Sequence, residues 1–536
     1  MIQRGNTYQD SLNNIVRGTL VIIFFSILAK FVGFFRGMAI AASFGTTWEV
    51  DAYLVAYTVP YLLMAVVGAS LATVVIPVFN EYVAAGKREE AWSVFSALFT
   101  LVALILGLAV AAGLFFPEGI VRLLAPGLPE GTSQVASQLT TVMLPALILL
   151  GLYNLFSGFL NANNIFGPPS LYPAVTSVFI ITAALGSHLW GIYGLAVGTL
   201  AGIAAGTFLQ VPFLFRVGFH YRPSLNLRNP GVVKCFGLML PVMIGAGLTQ
   251  VYVIINRALG SGLPEGSIAS LNYANTLVSL PFGLYANALR TSIFPTLSRQ
   301  ASEGRPDEMA QVLAGGCRMV IFLTLPLLAG FLLLRYPLVR FIYQWGAFDE
   351  RAVHLTAAAL FFYSFGMLAQ CLNPMLIRGF YSLQNTRTPV YIGLFYVFLN
   401  LVFSLILIHP LQHGGLALAY SIAANCAMVA YLWLLSRQLK NFPYRALAGW
   451  SVSLVGVVLV MAVVVASLDT VLAARLPDSK LWLLIRLLLD GFLGAALYLT
   501  GAIRLRLPEP LYLFKLLREG LAKAGLGFLA RRCGKI

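Results

Sequence analysis

Apolar runs of about 20 residues, the length that crosses a bilayer's hydrocarbon as a helix, recur along this entire chain. That repetition constrains the fold more than any single motif. A chain of 536 residues with 59% hydrophobic and 10% charged residues has too little polar sequence to surface a soluble core of its size. The expected fold class is an all-α integral membrane protein with about 14 transmembrane helices. The spans are expected near 18–42, 52–80, 91–116, 137–161, 169–188, 191–216, 231–256, 267–297, 311–335, 352–378, 388–408, 414–436, 446–468 and 481–503. Pro60, Pro241, Pro281 and Pro326 fall inside them, where neighbouring helices can satisfy the freed backbone groups.

The formal net charge of +16 raises nucleic acid as a partner, but the distribution of charge argues against it. With a cytoplasmic N-terminus, the inside segments collect Arg88, Arg222, Lys234, Arg305, Arg437 and Arg445, while outside loops carry far fewer basic residues. This is the positive-inside bias, and it predicts a multi-pass protein with both termini in the cytoplasm. The first apolar run is too long for a cleavable signal peptide. The tail 504–536 mixes Leu and Phe with Lys and Arg; it suits either the anionic inner leaflet or a disordered basic tail. Cys235, Cys317, Cys371, Cys426 and Cys533 are scattered without metal or disulfide spacing and read as small packing residues.

The chain also repeats itself. Gly158-Phe159-Leu160-Asn161-Ala162-Asn163-Asn164, then Pro168, matches Gly379-Phe380-Tyr381-Ser382-Leu383-Gln384-Asn385, then Pro389. The same offset pairs Gly194-Leu195-Ala196 with Gly415-Leu416-Ala417, and a slightly smaller one pairs Ile76-Pro77 with Phe294-Pro295 and Gly86 with Gly304. Two six-helix copies follow. An even number of spans gives both the same orientation, with a central cavity expected between them. The expected organisation is an N-terminal lobe over 1–216, a cytoplasmic linker over 217–230, a C-terminal lobe over 231–437, two extra helices over 438–503, and the basic tail. Segments 81–92 and 299–310 read as matching elbows, better explained as solvated connectors than as a gate.

Ionisable residues inside spans are costly, about 2.5–3.5 kcal/mol each at mid-helix, and so point to function. Lys30 and Arg36 lie in the first span, about 120° apart on a helix, so that both can line a wide cavity but not a narrow one. Arg290 lies in the eighth span, where snorkelling to the headgroups is an equal reading. Asp51 and Arg257 sit at span ends, and the repeat places Arg257 opposite Arg36. Asn272 and Asn275, with Gln250, Asn256, Asn287, Gln370, Asn373 and Asn400, form a polar tier better suited to interhelical hydrogen bonds than to ligands. Arg486 has no assigned role, and His409 and His413 read as solvated turn residues.

The intramembrane charge is thus mainly positive, with almost no opposing carboxylate, which suits an anionic substrate such as a pyrophosphate. No phosphate-binding loop, metal-ligand cluster or nucleophile–base pair is present in the sequence, so neither ATP, nor a cofactor, nor enzymatic catalysis is expected.

Several segments resemble the MurJ (MviN) family. They are Ala29-Lys30-Phe31-Val32-Gly33-Phe34-Phe35-Arg36 to Phe44-Gly45, Asp51-Ala52-Tyr53-Leu54-Val55-Ala56-Tyr57 to Pro60, Ile76-Pro77-Val78-Phe79-Asn80-Glu81-Tyr82, and Gly379 to Pro389. The resemblance implies a flippase that moves lipid II from the inner to the outer leaflet of the bacterial cytoplasmic membrane by alternating access. It implies that Lys30, Arg36 and Asp51 match family residues; Arg257, Arg290, Asn272 and Asn275 complete the candidates for substrate contact. It also implies that the two extra helices form a groove for the polyprenyl tail. Gly37 stands where many members have Asp, Met64 or Ala65 where they have a second-span arginine, and Asn275-Thr276 where they have an Asp-Arg pair. A flippase for another polyprenyl-pyrophosphate glycan, a cation-coupled drug exporter and a non-transporting scaffold are the rival readings.

Overall fold

A computed structural model describes residues 2–512 apart from 227 and 440. The basic-tail residues 513–536, Cys533 among them, lie outside the described residues. The described chain is helical throughout. First come α1 (Ile2–Phe44), α2 (Trp48–Ala84), α3 (Arg88–Phe115), α4 (Pro117–Leu124) and α5 (Glu130–Met143). These are followed by α6 (Ala146–Ala162), α7 (Gly167–Leu185), α8 (Ser187–Phe208), α9 (Val211–Arg216) and α10 (Pro230–Gly260). Next are α11 (Ser267–Pro281), a π-helical turn (Phe282–Ala286), α12 (Asn287–Ser302), α13 (Pro306–Leu333), α14 (Arg335–Tyr343) and α15 (Glu350–Ser364). The chain continues with α16 (Met367–Ser382), α17 (Arg387–Leu411), α18 (His413–Gln438), α19 (Tyr444–Arg475) and α20 (Lys480–Arg504).

Eleven of the described helices are long and apolar enough to span a membrane, and two bent pairs raise the number to 13. The remaining expected span, 267–297, is built as α11, the π-helical turn and α12. Its polar content, with Asn272, Asn275 and Arg290, keeps it below the hydropathy of the others. The bent pairs are themselves repeat partners: α5 with α6 and α15 with α16 each bend by 43°. The elbow glycines Gly86 and Gly304 match too, with φ of +75° and +68°. The elbows are exposed and carry short-range ion pairs (Lys87 with Glu90, Arg305 with Glu303 and Glu308), as solvated connectors do.

Compactness divides the chain into two units. Unit 1 comprises residues 1–276, 343–355 and 411–416; unit 2 comprises 277–342, 356–410 and 417–536. The division falls inside α11 rather than in the linker, because α10 packs along α2. The linker itself is held down: Phe219 stacks among Trp92 and Phe95, and the Arg222 amide donates to Ser96 Oγ at 3.3 Å.

Lipid tails are as apolar as leucine, so close packing rather than water exclusion must hold such helices together. In unit 1, Gly198, Gly202 and Gly206 form a stripe on α8 against α7, where a Cβ would come 2.2 Å from Ala183 Cβ and 2.5 Å from Tyr172 Cδ2. A ring cluster of Phe79, Trp92, Phe95, Phe159 and Phe219 fills the same unit, with centroids as close as 4.4 Å. In unit 2, α13 meets α19 and α20: Tyr498 stacks on Phe322 at 5.0 Å and donates its hydroxyl to the Phe322 carbonyl at 2.6 Å. Large apolar side chains stay exposed along the long helices, including Phe398, Val452, Val463 and Phe492, which is the surface a bilayer requires. Cys235, Cys317 and Cys371 are buried packing residues.

Candidate functional site

Six of the seven candidate residues, Lys30, Arg36, Asp51, Arg257, Asn272 and Asn275, fall in unit 1; Arg290 falls in unit 2. Asp51, Arg257 and the start of α11 are organised around the end where α1 stops and α2 starts. There the chain turns at Gly45, and α11 begins directly at Ser267 after Gly266.

Asp51 is 5% exposed and works as a helix cap supplied from another part of the chain. One carboxylate oxygen accepts the Gly266 amide at 2.8 Å and the other accepts the Ala269 amide at 2.7 Å. Gly266 is the residue whose carbonyl receives the first helical bond, from the Ser270 amide. The two amides Asp51 satisfies are therefore those a capping box satisfies locally. The carboxylate also sits at the positive end of the α11 dipole. Arg257 lies in the field of Asp51 and gives its Nε to Thr58 Oγ1 at 3.1 Å.

Aromatic rings and backbone atoms complete this sealed end. Tyr273, Tyr343 and Phe348 pack on one another with centroids 5.1–5.7 Å apart. Tyr273 donates its hydroxyl to the Gly45 carbonyl at 3.1 Å. The Ala347 amide donates to the Ala42 carbonyl at 2.7 Å, and a Cβ on Gly346 would come 2.2 Å from that same oxygen. His413, expected to be solvated, is buried and bonded through Nε2 to the Leu355 carbonyl at 2.9 Å; His409 is exposed as expected.

Arg36 is half-buried on α1 and faces Tyr53 and Tyr172. Tyr53, Tyr57 and Tyr61 stack along α2 with centroids 6.1 and 6.0 Å apart, running from buried Tyr53 to exposed Tyr61. Tyr153 and Tyr172 stack at 3.8 Å. A guanidinium among tyrosine rings offers charge to a phosphate and flat faces and hydroxyls to a sugar. The tyrosine ladder was readable in the sequence as a run at helical spacing, i, i+4, i+8. Lys30 is exposed on α1 and joins none of these contacts. Asn272 and Asn275 are half-buried on α11. Met64, where many family members carry arginine, is buried in the apolar core of unit 1.

In unit 2, Arg290 on α12 sits over Phe282 at 5.9 Å and in the field of Arg378 on α16, which sits over Phe294 at 4.7 Å. Arg378, near the C-terminal end of α16, is a second cation beside Arg290 that the candidate set did not include. Arg318 on α13, absent from the sequence-derived candidates, lies over Trp450 at 5.9 Å. The expected interhelical role holds for Gln370, bonded to Ser279 at 3.2 Å, and Asn373, bonded to the Ala424 carbonyl at 3.1 Å. The expected scarcity of intramembrane carboxylates does not extend to α20, where Asp490 is 1% exposed; one acid in a long apolar window is easily passed over. Arg486, left unassigned, pairs with Asp469.

Comparison with known proteins places these features. A family model described as "Lipid II flippase MurJ" matches residues 40–485. A "Lipid II flippase MurJ" of Burkholderia cenocepacia is 29% identical over 463 residues, 84% of this chain and 89% of that protein. A "Probable lipid II flippase MurJ" of Buchnera aphidicola subsp. Schizaphis graminum is 29% identical over 436 residues, 80% and 85% of the two chains. Among solved structures, "Lipid II flippase MurJ, inward closed conformation" superposes with a TM-score of 0.77 at 25% identity, covering 90% of this chain and 99% of that one. A multidrug transporter of the MATE family in an inward-facing conformation shares the fold alone, at 16% identity and a TM-score of 0.65 over 79% of this chain and 98% of its own. With the family model matching more than half of its length, this multi-pass membrane chain belongs to the lipid II flippase MurJ family.

Proposed function

We propose that this protein moves lipid II from the inner to the outer leaflet of a bacterial cytoplasmic membrane by alternating access, with both termini in the cytoplasm. The observation that carries the reading is Arg36 and its tyrosine rings lying in the same unit as an end closed by the Asp51 cap. Arg36 binds the pyrophosphate and the tyrosines carry the sugars, while Arg290 with Arg378 offers a second cationic pair in unit 2. The sealed end faces outward, because the basic residues concentrate on the opposite loops.

Unit 2 also carries an apolar groove of about 470 Å³ between α13, α19 and α20, lined by Phe322, Pro326, Leu327, Met461, Val465 and Tyr498 among others. It suits the polyprenyl tail and gives the two helices outside the repeats their role.

Arg36→Ala should slow translocation of lipid II in proteoliposomes by about 10- to 100-fold, the loss of one charged contact. It should fail to complement a flippase-depleted strain, while membrane insertion and protein level stay normal. Purified wild-type protein that ignores lipid II and moves a different polyprenyl-linked glycan would overturn the substrate assignment.

A further inference from the structure

Asp490 lies within the wall of the apolar groove on α20, with both carboxylate oxygens buried and no donor within hydrogen-bond distance among the described residues. Its charged neighbours are Asp469 on α19 and Arg486, one turn earlier on its own helix. Arg486 Nε is given to Asp469, so Asp490 meets a carboxylate rather than a guanidinium. The cluster therefore sets two acids against one base. Among the described residues, the helices packed around it add no second base. From α13 the groove receives Phe322, Leu323, Pro326 and Leu327, and the other titratable groups on its wall are Tyr285 and Tyr498. At the hairpin end Arg340 is committed to Asp478 at 2.8 Å, and Lys480 Nζ donates to the Arg340 carbonyl at 2.6 Å. Two carboxylates set against one another in such surroundings are held together by a single proton between their oxygens, since two like charges in contact away from water cannot both ionise.

We propose that Asp469 and Asp490 form a proton-binding site, one proton held between their carboxylates beside Arg486, and that a hydrocarbon chain in the groove controls its release. With the groove filled, water cannot reach Asp490, the ionised pair has no donor to receive it, and the proton stays. With the groove empty and wetted, its wall is free to shift, and water that reaches the Asp490 carboxylate solvates it and carries the proton away as hydronium. Linkage makes the coupling reciprocal: protonation of the pair tightens chain binding by the factor with which the chain tightens the proton. That the natural chain is a polyprenyl tail rests on the function proposed above; the proton site itself does not.

Infrared difference spectra of the full-length protein at neutral pH should show a protonated carboxylic acid carbonyl band. Asp490→Asn should remove that band, as should Asp469→Asn, which frees Arg486 for Asp490. Asp478→Asn, at the exposed rim, should leave it in place. A band absent from the wild type, or retained in both inner variants, overturns the site. For the coupling, the probe is a neutral polyprenol in detergent, which does not titrate. Its affinity for wild type should fall about tenfold as pH rises through the titration of the band, and Asp490→Asn should abolish that dependence. A wild-type pH dependence in Asp490→Asn overturns the coupling. Failure of the polyprenol to bind at any pH overturns the coupling and the tail reading, while the infrared result still decides the proton site.

Discussion

The sealed end of unit 1 and the α19–α20 hairpin of unit 2 solve the same problem, joining helices inside a membrane, with different chemistry. The sealed end uses backbone: the Ala347 amide on the Ala42 carbonyl, Tyr273 on the Gly45 carbonyl, and two α11 amides on Asp51. The hairpin uses side-chain charges, Arg486 with Asp469 and Arg340 with Asp478, beside a packed apolar face. Backbone contacts of this kind depend on close approach and disappear together when the segments separate. A hairpin held by packing along two helices of 32 and 25 residues has no comparable point of failure. The contrast marks the first region as the one built to part and the second as the one built to persist.

The sharpest way to break that contrast is Gly346→Val. A Cβ there would meet the Ala42 oxygen at 2.2 Å, and the residue has φ of +56°, a conformation that costs an L side chain about 1–2 kcal/mol before any clash. The sealed end should fail to close. A cysteine at Ala269, fully buried in the closed form, should then react with a polar thiol reagent at least about tenfold faster, a shift of about 1.4 kcal/mol or more; unchanged reactivity would mean the seal does not depend on this crossing. Asp51→Ala should come next, since each hydrogen bond to a charged group contributes about 1.5–3 kcal/mol. Asp51→Asn, which keeps one carbonyl acceptor, should open the end less than Asp51→Ala by the same labelling, and an equal effect of the two would deny the capping role.

The smallest effect belongs to the hairpin rim. The Arg340 guanidinium beside Asp478 holds that carboxyl below its usual range. A carboxyl whose folded value is depressed stabilises above its unfolded value and loses that contribution as pH falls through the folded one. Asp478→Asn should therefore loosen the hairpin at neutral pH by no more than about 0.2–1 kcal/mol, as exposed pairs do, and should have no effect at strongly acidic pH. Amide exchange across 476–483, read against pH, checks both. A larger loss than at Asp51 would reverse the comparison.

Hydropathy made most of the spans legible, and matched motifs pointed to a repeat, because both signals are local. The eighth span was harder. Its asparagines and Arg290 dilute the apolar run, and the π-helical turn after Pro281 has no signature beyond the proline. Arg36 and Asp51 could be named from sequence, but not the geometry joining Asp51 to Gly266, since the partners lie 215 residues apart. The tyrosine ladder was written openly at helical spacing and needed only to be counted. Arg378 was passed over as a site residue because a basic residue near a span end looks like a loop charge. Asp490 escaped because the surrounding residues are so apolar that the window absorbs it.

The trans cap has a further consequence. α11 follows Gly266 at once, a residue with no side chain to cover the first amides of the helix, so their cover comes from Asp51. Each time the sealed end parts, the Gly266 and Ala269 protons lose Asp51 and face water. Their exchange with deuterium is thus a clock built into the chain, ticking at the frequency with which this end opens, and readable without label, substrate or mutation.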